Sequence, residues 1–197
     1  MEVNLSMRYL DWKPIKHSFC KSPDLADKIH HKGYKFVDCI SDEVISQLND
    51  IYQEEHDFNV EDGGMFYSMY SKDTDYRKRV HEKIGALLKP ILENYFEDYN
   101  NVINAFVVKL PGDKSEFYVH QDTTGLDELK YSPLSLLIPL QDINASNGAL
   151  AVIEKTHWFF SPYRGISYSF PFKKINETIK KYLKPIFMKQ GEVLFFD

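Results

Sequence analysis

Apolar residues recur at helical spacing through the first half of the chain and at strand spacing through the second. Leu25, Ala26 and Ile29 follow Ser22-Pro23-Asp24 and precede Gly33, which predicts a short capped helix with Pro in its first turn and Gly just past its end. The run "GYKFVDCIS" then alternates like a strand, and Ser41 is placed to cap a helix carrying Val44, Ile45, Leu48, Ile51 and Tyr52 along one face to about His56. From Thr74 to about Asp98 the residues Val80, Ile84, Leu87, Leu88, Ile91, Leu92, Tyr95 and Phe96 repeat at helical spacing, and Pro90 marks a kink position. Between these helices "NVEDGGMFYSMYS" (59–71) reads as an aromatic loop, either a lid or substrate wall or ordinary loop packing.

Beyond residue 101 the pattern changes to short apolar runs bounded by Pro, Gly, Asn or Asp: "VINAFVVKL" (102–110), "EFYVHQ" (116–121), "LSLLIPL" (134–140), "GALAVIE" (148–154) and "GEVLFF" (191–196). A polar helical stretch, "KKINETIKKYL" (173–183), interrupts them, and Asn147-Gly148 reads as a turn needing positive φ. Helices first and strands later predict an α+β domain over 1–197, with 1–100 a mainly helical support and 101–197 the strands of a sandwich or barrel.

Composition narrows the function classes. A net charge of −5, with no basic stripe, argues against nucleic acid as a partner. Cys20 and Cys39 are the only cysteines and form no CxxC, which reads as reduced thiols in a cytoplasmic protein. No apolar run is long enough to span a membrane, and the first residues lack a signal-like core. His30 and His31 fit the last turn of their helix, where the dipole suits imidazolium. His56 reads as a solvated helix end, and His17 and His81 as surface residues.

The chemistry concentrates in "FYVHQDTTG". On a strand, positions i and i+2 share a face about 7 Å apart, so His120 and Asp122 would converge on one ion. Imidazole plus carboxylate suits Fe, Zn or Mn, and a 2-His-1-carboxylate triad leaves open positions for substrate and O2 in non-haem Fe(II) oxygenases. A bare HxD also occurs as an ordinary hydrogen-bonded pair.

The order of the surrounding segments adds to this. "KGYKFVDCISDEVISQL" resembles the opening of phytanoyl-CoA dioxygenase-like proteins. "FYVHQDTTGLDELKYSPLSLLIPLQDINASNGALAVIEKTHWFFSPYRG" resembles that family's core, and "FMKQGEVLFFD" is similar to the strand before its distal iron-binding histidine. The resemblance spans about Gly33 to Asp197. It implies a double-stranded β-helix (jelly-roll) core and an enzyme that uses Fe(II), with 2-oxoglutarate and O2 as cosubstrates. Such an enzyme releases succinate and CO2 while hydroxylating a small-molecule or carrier-tethered metabolite. It also implies His120 and Asp122 as iron ligands, and an intact Asp122 favours hydroxylation over halogenation. Phe106 and Leu137 match strand positions flanking the cosubstrate pocket, although each fits a sandwich core equally well and Leu137 replaces a more usual aromatic.

In the family a distal histidine and then a cosubstrate-anchoring arginine follow the strand matched by "GEVLFFD", and this sequence stops at Asp197. The expectation is a fragment of a longer product or a natural truncation with altered activity. His157 is an alternative third ligand, set against a turn histidine bonded to backbone. Arg164 is either an anion contact or a solvated loop charge. Two other readings stay open: a cupin-like enzyme using another divalent metal, and a non-catalytic jelly-roll binding module.

Overall fold

The computed structural model describes residues 19–56, 64–112, 115, 117, 119–122, 126, 130–158 and 175–197. Helix α1 (Pro23–Lys32) begins at Ser22, whose Oγ accepts from the Leu25 N–H, and ends at Gly33, where φ is 92° and the amide donates to the Ile29 carbonyl. Helix α2 (Asp42–Glu55) is capped by Ser41 through the Val44 N–H, and α3 (Thr74–Tyr95) by Asp73, which accepts from the Asp75 and Tyr76 amides. The α3 helix continues through Pro90 and buries Tyr76, Val80, Ile84, Leu88 and Leu92 in one row.

The strands are short. β1 (Tyr34–Val37), β7 (Val193–Phe196) and β4 (Ser135–Leu137) form an antiparallel sheet in the order β1-β7-β4; β2 (Met65–Tyr67) pairs with β3 (Val107–Lys109), and β5 (Leu150–Val152) with β6 (Lys184–Ile186). Helix α4 is limited to Asn176–Lys180. Strands of the first hundred residues therefore complete sheets begun in the second, and the two halves interleave.

Strand β7 separates two hydrophobic clusters because its side chains alternate. Val193 and Phe195 face the main core with Leu25, Ile29, Ile45, Leu48 and the α3 row, whereas Leu194 faces a smaller cluster with Ile186 and Met188. Phe195 is 1% exposed and its ring meets those of Phe96 and Tyr95 at 4.8 and 5.6 Å. Gly148 has the expected positive φ, 89°.

Several expectations are corrected. The stretch 59–71 contains strand β2 and a 3-10 turn (Ser68–Tyr70), so its described part is not a plain loop. In "EFYVHQ" the described residues Phe117 and Val119–Gln121 belong to no strand. β6 occupies a stretch without a visible strand period. His56 is not solvated: it is buried, stacked on Tyr52 and edge-on to Phe66, because β2 is folded over the end of α2. His81 is half-buried, and its Nδ1 accepts from the Asn104 amide at 3.1 Å. Both cysteines are free; burial of Cys20 pushes its thiol up to about 11, and Cys39 is exposed.

Candidate metal centre

His120 and Asp122 do converge, without the strand geometry that their spacing suggested. Nε2 of His120 lies 3.0 Å from Oδ1 of Asp122, and the side chains are 21% and 43% exposed. Two further residues hold the pair. The Ser135 hydroxyl on β4 donates to the other carboxylate oxygen, Oδ2, at 3.5 Å, and the Phe117 ring stands edge-on to the imidazole with centroids 4.2 Å apart. Neither was legible in the sequence: Phe117 and His120 are an odd number of residues apart, which on a strand would put them on opposite faces.

The pair fits a small divalent ion. Donors at about 2.1 Å from a metal and about 90° apart are separated by about 3.0 Å, the spacing between Nε2 and Oδ1 here. One ligand is imidazole and the other carboxylate, the donor set that such ions accept. Among the described residues no group of three His, Cys, Asp or Glu side chains is placed to hold a metal.

His157 does not supply the third ligand. It is buried on a 3-10 turn (Thr156–Trp158), its Nε2 donates to the His30 carbonyl at 2.7 Å, and Nδ1 faces Gly33 so closely that a Cβ there would lie 3.0 Å away. Both ring nitrogens thus face protein. Trp158 Nε1 donates to the same carbonyl at 2.9 Å, which ties this turn to the end of α1. Beside it, Glu154 accepts from Tyr34 and Lys184, and Lys184 holds its carboxyl below the usual range.

Leu137 shares a sheet face with Ser135, two residues away on β4, and so lies on the side of the sheet that Asp122 contacts. It packs against the cluster of Ile186, Met188 and Leu194. Phe106 is placed in the main core, 7% exposed, with its ring 5.1 Å from Tyr52 and its amide donating to Ser68 Oγ. The described contacts connect it with Tyr52 and Ser68 and do not bring it to His120. Arg164 and His17 lie outside the described residues.

Helices packed on antiparallel sheets, with an imidazole–carboxylate pair at the edge of one of them, define an α+β protein with a candidate metal centre. The family model for phytanoyl-CoA dioxygenase matches residues 35–197, and the chain belongs to that family. The match supports membership of a group of Fe(II)/2-oxoglutarate-dependent oxygenases. No curated protein and no solved structure matches the chain. Among the described residues no helix is long and apolar enough to cross a membrane.

Proposed function

We propose that this protein is an Fe(II)/2-oxoglutarate-dependent dioxygenase with a jelly-roll core that hydroxylates a small molecule, with His120 and Asp122 as metal ligands. The observation that carries this reading is the 3.0 Å separation of Nε2 and Oδ1 at an HxD pair inside the family-matching stretch. Bound Fe(II) would supply O2 activation coupled to decarboxylation of 2-oxoglutarate to succinate and CO2. The chain's own residues prepare the position. His120 Nε2 donates a hydrogen bond to Asp122 Oδ1, and these two atoms would be the ones to hold the metal. Ser135 limits rotation of the carboxylate, and Phe117 limits rotation of the imidazole.

The absence of a three-residue group among the described residues favours a second reading, a jelly-roll binding module that keeps the pair without turnover. Anaerobic calorimetry with Fe(II), with and without 2-oxoglutarate, separates them. The dioxygenase reading expects binding that 2-oxoglutarate strengthens, that His120→Ala or Asp122→Ala abolishes, and that Ser135→Ala weakens about tenfold. Fe(II) binding that is indifferent to His120→Ala would overturn the assignment of the site.

A further inference from the structure

The β5–β6 ladder has one face inside the fold and one outside. Leu150 and Val152 on β5 and Ile186 on β6 pack with Met188 and Leu194 in the smaller hydrophobic cluster. Side chains alternate along a strand, so the cross-strand partners Ala151 and Pro185 point the other way, and Phe187, between the buried Ile186 and Met188, joins them. All three are exposed, Phe187 by 55%. The turn that leads into β6 exposes Tyr182 by 65%. Five residues of chain separate the two rings, which keeps their backbones within about 18 Å and in reach of one flat surface.

Lysines are interspersed with these side chains. The stretch from Ile175 to Lys189 carries Lys180, Lys181, Lys184 and Lys189 against one acid, Glu177, in a chain whose net charge is −5. Lys180 meets Glu177 at 3.7 Å, and Lys184 and Lys189 meet Glu154 and Asp142 at 2.8 Å. The side chains of Lys184 and Lys189 are largely exposed, and ion pairs so exposed contribute little and exchange readily for another anion. A lysine stem can lie along apolar surface while its ammonium group reaches outward.

These features choose among possible covers for the face. A second copy related by a two-fold axis would bring the lysines of both chains together, like charge against like. Pro185 has no N–H, so the edge of β6 is a poor template for an added strand. An acidic protein would have to present a socket shaped to each projecting ring, whereas lipid headgroups rearrange around them. Aromatic side chains that project beside lysines suit the surface of an anionic bilayer, where rings sit among the headgroups and ammonium groups meet phosphate and carboxylate. The chain as a whole is repelled by such a surface, which turns its lysine-bearing face toward the bilayer.

We propose that the outer face of the β5–β6 ladder is a docking surface for an anionic lipid bilayer, with Phe187 and Tyr182 entering the headgroup layer and Lys180, Lys181 and Lys184 binding the headgroups. It lies across the ladder from the cluster that includes Leu137. Docking there needs no spanning segment and is independent of metal at His120 and Asp122.

The test sediments the full chain with vesicles of phosphatidylcholine alone and with about a third phosphatidylserine. Binding is expected to the mixed vesicles only, and to disappear as salt rises toward about 0.5 M. Phe187→Ala, Tyr182→Ala and the pair Lys180→Gln with Lys181→Gln are each expected to weaken it about tenfold. The lysine pair keeps the test separate from any loss of packing at the rings. Phe36→Ala, which removes an exposed ring from β1, is expected to change nothing. No binding to the mixed vesicles, equal binding to both vesicle types, an equal loss in Phe36→Ala, or no loss in Phe187→Ala and the lysine pair would overturn the docking surface. Two further results would overturn it by naming another occupant: binding to polyglutamate without binding to vesicles, which makes the partner an acidic protein, or a dimer in solution that Phe187→Ala splits, which makes it a second copy.

Discussion

Gly33→Ala tests the junction between α1 and the turn that carries His157. Two costs add at this position. Gly33 sits at φ 92°, in the left-handed region, where a residue with a Cβ is disfavoured by about 1–2 kcal/mol. The new Cβ would also lie 3.0 Å from His157 Nδ1 and 3.3 Å from Cε1. The ring cannot yield freely, because Nε2 is bonded to the His30 carbonyl at 2.7 Å; releasing that bond costs about 1 kcal/mol. The expected loss is therefore about 2–3 kcal/mol, read from urea unfolding. His157→Ala removes the obstruction, so the double variant should be less destabilised than the sum of the singles by about 1 kcal/mol. Additivity within about 0.3 kcal/mol would refute the packing of His157 against Gly33. Fe(II) affinity should be unchanged in His157→Ala; a loss of metal there would return this histidine to the ligand set.

Two further outcomes follow from the core and from one ion cluster. Phe195→Ala, in the strand shared by both clusters, should cost about 3–5 kcal/mol in urea unfolding. Phe36→Ala, on the adjacent strand but 38% exposed, should cost less than about 1 kcal/mol, and equal losses would deny Phe195 its central place. Glu55 accepts from Lys83 and Arg79, which hold its carboxyl below the usual value. A depressed folded value means that its contribution is present above the unfolded value of about 4.3 and is lost as pH falls through the lower folded one. Glu55→Gln should accordingly flatten the decline of stability on acidification below about pH 4.5, and an identical acid limb in both proteins would refute the coupling.

The helices were legible because their information is local. Ser22, Ser41 and Gly33 are caps whose side-chain or backbone chemistry acts within one turn, and Val80, Ile84, Leu88 and Leu92 repeat over enough residues for a period to show. Strand β7 was legible from an apolar run opened by Gly191. Strands β2 and β6 were not: β3, β4 and β5 are as short but lie inside longer apolar runs, whereas β2 lies in a Gly-bearing aromatic stretch and β6 opens with Lys184-Pro185, so their partners decide them.

The sequence by itself determined the α+β class, the starts of α1, α2 and α3, the family and the HxD pair, all of which depend on neighbours along the chain. Tertiary structure alone decided which side chains surround that pair. Ser135 reaches Asp122 across thirteen residues, and β2, far back in the chain, brings Tyr67 to Phe117 and so toward His120. It also decided that His56 and His157, both at the ends of local elements, are enclosed by segments folded over them. Hydrophobic burial is non-directional and acts between segments distant in sequence, so a residue's final surroundings are set only when those segments pack.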